Sequence, residues 1–392
     1  MRATRGLVTA ILGCAWLGLA GLACGDDNEG PGGAGGVGGG TGGGAAGGTV
    51  GGAGGSGGGA PVCPEGSHEG PNGCEATLGA YQETSALNAA RDHHMTFSLE
   101  RPNGTFLYVA GGYKNQATPV TSFERALVNA DGTLAPWEVL PNVKDVSGAG
   151  VVTLGDKAVI MGGYRGFIHA TRTVDIYTAD DDGNLTESAG PDLIDPRFHV
   201  GAVLTNGFIY VVGGMNSGGT SLTTVERASF DGTTVGAFQA DTALPLPCSH
   251  QGVATDGKSI FVTGGLARVN GDFANDVPYD SVLSAPIQAD GTLGAWTDLG
   301  TMPVSLSIHA SFVHAGSLYV VGGLKDVTTF VKTVYRAPIA EDGTLGAWET
   351  LAIELPRTRG HSHQDPMIGP FTYSVGGYAG TSQTQVYFAR FE

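Results

Sequence analysis

Short apolar runs rich in β-branched and aromatic residues recur along the chain. Six of them end in a glycine pair: Gly111-Gly112, Gly162-Gly163, Gly213-Gly214, Gly264-Gly265, Gly322-Gly323 and Gly376-Gly377. The pairs are spaced by 51, 51, 51, 58 and 54 residues. Runs such as Phe208-Ile209-Tyr210-Val211-Val212 and Leu318-Tyr319-Val320-Val321 are short and built of strand-forming residues. Each reads as the second strand of a repeat. A first strand precedes it, as in Val200-Gly201-Ala202-Val203-Leu204, and Asn206-Gly207 then supplies a two-residue hairpin turn. After the glycine pair come a variable loop and a third strand, as in Val225-Glu226-Arg227-Ala228 and Val334-Tyr335-Arg336-Ala337. A last turn and strand follow, running Asp131-Gly132 to Trp137, Asp290-Gly291 to Trp296 and Asp342-Gly343 to Trp348. Asp-Gly favours the positive φ of a tight turn, and each Trp is a large anchor for the neighbouring unit. A period of about fifty residues with four strands per unit predicts an all-β, six-bladed propeller over residues 76–392.

The two ends of that region are complementary. The last repeat stops at Phe391-Glu392 after its third strand, and the missing fourth strand stands at the start. Ala76-Thr77-Leu78-Gly79-Ala80-Tyr81 matches Gly291-Thr292-Leu293-Gly294-Ala295-Trp296, with Tyr81 in the Trp position. His94 then follows Tyr81 as His309 follows Trp296. Residues near 76–84 are expected to pair with residues near 384–391, closing the ring and removing two sheet edges.

The glycine pair, the downstream aromatic, the Asp-Gly turn and the Pro/Arg-x-x-His stretch before the first strand resemble kelch repeats. Two repeats depart from the pattern: Ser188 and Phe238 take the Trp position, and Gly148 takes the His position. The resemblance implies a six-bladed propeller whose loops between strands two and three, and between strand four and the next strand one, form a ligand-binding mouth. Onto that mouth the sequence maps Arg91, Asp92, His93, His94, Arg197, His199, Ser249, His250, His309, Arg357, Arg359, His361 and His363 from one set of loops. The other set contributes Tyr113, Lys114, Tyr164, Arg165, Asn216, Arg268, Lys325 and Tyr378. These side chains predict a basic, aromatic funnel for an anionic or hydroxyl-rich ligand. The same His and Arg residues also recur because the repeat recurs, so a role in bonding neighbouring blades stands beside the binding role. The longest insertion, Leu266 to Asp280, would overhang the mouth.

The charge balance narrows the partners. With 20 Lys and Arg against 37 Asp and Glu, the formal net charge is −17, which does not offer the broad basic surface that nucleic acid needs. Asp180-Asp181-Asp182-Gly183 falls on a regular hairpin turn and lacks the distal Glu of a calcium loop.

The N-terminal region reads as an export signal. Arg2 and Arg5 precede an apolar stretch from Gly6 to Ala23, and Gly21-Leu22-Ala23-Cys24 resembles the acylation site of bacterial lipoproteins. Residues 1–24 are therefore read as a signal with Cys24 as the lipidation site; Ile11-Leu12-Gly13-Cys14 fits locally but leaves too short an apolar core. Residues 25–62 are mostly glycine, a flexible tether of about 30–35 Å root-mean-square reach. Cys63 and Cys74 bracket a short turn-rich segment, 63–75, and export favours a disulfide between them over a metal site with His68. Cys248 stands alone and is read as a small buried apolar residue.

Three function classes follow. The first is an exported, monomeric binding module, lipid-anchored at the outer membrane or cell surface of a bacterial envelope or else secreted, recognising a protein or glycan through its loop face. It requires no cofactor and no metal, and the membrane enters only through the lipid. The second, which the resemblance brings in because kelch-like propellers include a sialic-acid mutarotase, is a sugar-active enzyme with Asp92 as its carboxylate. The third is a copper oxidase of the galactose-oxidase type, which would have to cross-link Cys248 to a tyrosine.

Overall fold

The computed structural model describes residues 63–392 apart from 71–72, 166–168, 362–363 and 365. The signal, Cys24 and the tether lie outside the described residues, as does His363. Six four-stranded antiparallel sheets form, each with its strands in chain order except the last. The third shows the pattern: Gly201–Thr205, Phe208–Val212, Val225–Ser229 and Gln239–Asp241 pair successively. Its first turn holds Asn206 at φ 51° and Gly207 at φ 77°, the left-handed pair that the Asn-Gly signal predicts. First strands of successive sheets lie side by side around a central channel, and the second strands are buried on both faces.

Ring closure follows the complementary ends. Gln82–Thr84 pairs with Val386–Arg390, with Gln82 opposite Phe388 and Thr84 opposite Val386. Thr77 and Glu392 exchange backbone bonds of 2.7 and 3.0 Å. The last sheet is thus built from both termini of the propeller, with Phe391 fully buried among Leu78, Tyr81 and Tyr319.

The glycine pairs have a physical role that their spacing alone does not show. Both glycines of every pair have positive φ. The second donates its amide to the loop entering the next blade: Gly112 to Val146, Gly163 to Arg197, Gly214 to Cys248, Gly265 to Leu306, Gly323 to Arg359 and Gly377 to Arg91, all at 2.7–2.9 Å. The last of these returns to the first blade, so the six bonds form a closed circuit. A Cβ on Gly111 would lie 2.0 Å from the Val146 carbonyl oxygen, which is why the approach requires glycine.

Blades also dock through their outer strands. Trp137 Nε1 donates to the Ser85 carbonyl at 2.9 Å, and Trp296 Nε1 to Thr242 at 2.9 Å, each in the preceding blade. Phe238, in the Trp position of the third blade, is likewise buried against the second. A tyrosine hydroxyl on the second strand reaches the Asp-Gly turn of the following blade: Tyr108 to Gly183, Tyr210 to Gly291 and Tyr373 to Gly132. Asp180 caps its own turn by accepting from the amides of Asp182 and Asn184, a turn rather than a calcium loop.

Cys63 forms a disulfide with Cys74 on the second strand of a two-stranded hairpin, with Cα atoms 5.3 Å apart. Oxidised sulfurs leave no thiolate for the alternative metal set with His68.

Candidate functional site: a histidine collar on the loop face

The loop entering each blade turns sharply through one left-handed residue. These six are His93, Gly148, His199, His250, Ile308 and His361, with φ between 50° and 59°. Their backbones form a second closed circuit. Gly148 donates to His93, His199 to Gly148, His250 to His199, Ile308 to His250, His361 to Ile308 and His93 to His361, over 2.6–3.2 Å. Four imidazoles are thereby held around one axis. His93 stacks on His361 with centroids 3.7 Å apart, His199 stacks on His250 at 3.9 Å, and His93 meets His199 at 5.1 Å. Gly148 carries no side chain where a Cβ would lie 3.1 Å from the His199 ring, and that space lets the two stacks meet.

The register differs by one residue from the sequence expectation. His94 and His309 are not collar residues; His93 and Ile308 are. His94 and His309 fill the next position, which packs between blades. A Cβ on Gly376 would lie 3.0 Å from the His94 ring, and one on Gly264 would lie 3.1 Å from the His309 ring. His309 is fully buried with Nε2 2.8 Å from Thr263 Oγ1, and burial lowers its pKa to about 4.

The residue before each collar position pairs with the residue after each glycine pair: Asp92 with Tyr113, Ser147 with Tyr164, Phe198 with Met215, Ser249 with Leu266, Ser307 with Leu324 and Gly360 with Tyr378. Tyr113, Tyr164 and Tyr378 consequently flank the collar. The Tyr164 hydroxyl is 3.1 Å from His199 Nε2, and Tyr113 and Tyr378 present edges to His93 and His361. Met215, Leu266 and Leu324 occupy the same places in the other three blades, with Met215 and Leu266 buried and Leu324 half-buried. Sequence reasoning missed these three, although each directly follows its glycine pair. Asp92 is buried, with Oδ1 2.5 Å from His93 Nδ1 and Oδ2 accepting from Ser382 Oγ and the Gln116 amide. On the opposite side Ser249 Oγ lies 3.0 Å from His250 Nδ1.

The arginines do not line a funnel. Arg91, Arg197 and Arg359 stand two residues before a collar residue and are at most 1% exposed. Arg91 donates to the carbonyls of Gly111 and Ser122 and pairs with Glu124, whose carboxylate also accepts from the amides of Asn88 and Ala89. Arg197 repeats the device with Gly213, Thr224 and Glu226. In the last blade Tyr387 replaces the glutamate, and Arg359 lies 4.5 Å over its ring. Burial lowers the pKa of Arg91 and Arg197, and the partner carboxylates oppose that shift. These guanidinium groups pin the collar-bearing loops. Arg268 forms a two-pronged pair with Asp276 at 2.6 and 2.5 Å, and Arg165 bonds Asp175 at 2.8 Å. Asn216 Oδ1 accepts from Gly218 and Thr220 and shapes its own turn. Lys114 and Arg357 are exposed and Lys325 is half-buried, so the cationic character of this face is small.

The imidazoles stack face to face and do not converge on a point; among the described residues no group of three or more His, Cys, Asp or Glu is arranged to hold a metal ion. Cys248 is buried with Sγ 3.4 Å from the Gly264 carbonyl, and burial pushes its pKa up to about 12, keeping it a neutral thiol.

Comparison with known proteins agrees with this architecture. A family model described as the Kelch motif matches residues 196–227. The chain is 24% identical over 278 residues to a Kelch-like protein terF of Aspergillus terreus, covering 68% of this chain and 57% of that one. It is 28% identical over 141 residues to a Kelch repeat and BTB domain-containing protein 1 of Ectromelia virus, covering 36% of this chain and 23% of the viral protein. The chain thus spans less than two thirds of the relatives it matches. The solved structure of YjhT superposes with a TM-score of 0.58 at 11% identity, covering 79% of this chain and 99% of that one. The chain is an all-β propeller that carries kelch repeats.

Proposed function

We propose that this protein is an exported, lipid-anchored binding module that recognises a protein or glycan through the collar face of its propeller. The observation that carries the reading is the collar. Four imidazoles and three tyrosines are fixed by a closed circuit of backbone bonds on the face where the loops gather, so a ligand would meet rigid aromatic and hydrogen-bonding groups. Tyr164, Tyr378 and Leu324 are half-buried at the rim, so their exposed edges offer aromatic and apolar contact to a sugar ring or a peptide. The Cys63–Cys74 disulfide fits an oxidising compartment, and Cys24 followed by a glycine-rich tether would hold the propeller away from a bacterial membrane.

One geometry favours a second reading, a sugar-active enzyme similar to a sialic-acid mutarotase. The Asp92 carboxylate bonds His93 Nδ1, which orients the ring and leaves Nε2 as the nitrogen able to exchange a proton with a ligand. A double variant, His93→Asn with His361→Asn, separates these readings, because asparagine tolerates the left-handed backbone. A glycan array and pull-down should find a ligand for the parent and lose it for the variant. Catalysed anomerisation of sialic acid by the parent, lost in the variant, would favour the enzyme. A ligand retained by the variant on both assays would remove the collar from the site.

A further inference from the structure

Beside the collar the central channel holds a cavity of about 250 Å³ lined by all six blades. Its polar wall consists of Thr96, Ser98, Thr153, Gln251, Ser311 and Gln364, interleaved with valines from three blades. No charged side chain lines it among the described residues. Gln251 is the informative residue. It is 3% exposed, and its Nε2 donates to the Val212 carbonyl at 2.7 Å. A carbonyl can only accept, so this bond fixes the amide orientation and leaves Oε1 as the free end. That oxygen is buried and has no hydrogen-bond partner among the described residues. On the adjoining blade Ser311 Oγ lies 2.7 Å from Thr263 Oγ1, which in turn contacts His309 Nε2 at 2.8 Å. Ser311 is thus held at the wall by a buried chain whose far end is an imidazole.

We infer that this channel is a binding site for a small neutral polyol of monosaccharide size, with Gln251 Oε1 accepting from a ligand hydroxyl and Ser311 Oγ bonding a second. The cavity lies just below the range of pockets that hold drug-sized molecules, roughly 300–1,000 Å³. Hydroxyl, amide and carbonyl groups around its circumference offer donors and acceptors together, which a hydroxyl-bearing ring can satisfy. A charged ligand would lose its hydration, and among the described residues the wall offers no opposite charge to replace it. Valine side chains between the polar groups suit the C–H faces of such a ring. This site is distinct from the collar surface and does not rest on the reading given for it.

Calorimetric titration of the full chain with D-glucose and myo-inositol, beside D-glucuronate and D-glucosamine, tests the inference. Binding of a neutral probe is expected, weakened at least tenfold by Gln251→Leu and by Ser311→Val, with the charged probes bound at least tenfold more weakly. Melting curves of the unliganded variants establish that they fold. Equal binding by both folded variants, or preference for a charged probe, overturns the inference. If either variant fails to fold, a crystal of the parent soaked in the neutral probe decides: the probe bonded to Gln251 supports the site, and ordered water alone overturns it.

Discussion

The amide of His93 donates to the carbonyl of His361 at 3.2 Å, joining the first blade to the last. That bond completes a circuit whose other five links run between sequential neighbours. A second circuit, closed by Gly377 to Arg91 at 2.9 Å, runs parallel to it. Residues 91 and 93 therefore hold both circuits closed, and the strand that precedes them, Gln82–Thr84, pairs with the other terminus of the propeller.

Tyr81, 8% exposed, packs the closing strand against the fifth blade. Tyr81→Ala should cost about 3–5 kcal/mol, the range for truncating a buried large aromatic. Chemical denaturation gives the value; a midpoint equal to the parent's would show that closure does not depend on this anchor.

Breaking the buried pair by Glu124→Gln leaves the Arg91 guanidinium without its counter-charge and is expected to destabilise by about 3–5 kcal/mol. Glu226→Gln should cost less, because Arg197 keeps the half-exposed Asp195 carboxylate at 3.5 Å. By contrast, Arg359 already meets a ring, and Tyr387→Phe should be mild. Thermal unfolding of the three variants side by side checks the contrast.

Stability should fall as the solution is acidified from pH 6.5 towards 4. His309 has an ordinary pKa of 6.5 when unfolded and about 4 when buried, so in this window the unfolded chain takes up a proton that the folded chain refuses. Unfolding is favoured as pH drops, by roughly 3 kcal/mol once pH is below 4. Denaturation of parent and His309→Gln at pH 7.5 and 4.5 isolates this contribution: the difference between the two pH values should shrink in the variant.

Reduction of Cys63–Cys74 should lower stability by about 2–3 kcal/mol if the hairpin stays docked on the closing blade. Gly66 stands there against Pro370 and Phe391. Melting with and without reductant, repeated on a Cys63→Ser/Cys74→Ser variant, measures it; a reductant effect that persists in the variant would belong to another group.

Much of the fold was legible because its signals are local. A hairpin turn is written in Asn206-Gly207 and a strand in Phe208–Val212, and repetition multiplies each signal six times. The site was legible only as a set of loops. His93 and His94 are adjacent, chemically identical and both next to the first strand, so nothing local distinguishes the one on the axis from the one between blades. The arginines misled for a related reason. Arg91 and Glu124 meet only after the first and third strands of a blade have each paired with the second, although glutamate at one third-strand position in the blades of Arg91 and Arg197 was a usable clue.

The sequence by itself determined the strands, their period, the disulfide-prone segment and the complementarity of the two ends, since these follow from apolar alternation and from glycine's backbone freedom. Only the tertiary structure decided which imidazoles share an axis, that three arginines are structural, and that a polar channel runs beside the collar. Each of those depends on side chains brought together from different blades, and a one-residue change in the phase of a left-handed turn moves a side chain from the axis to the blade interface.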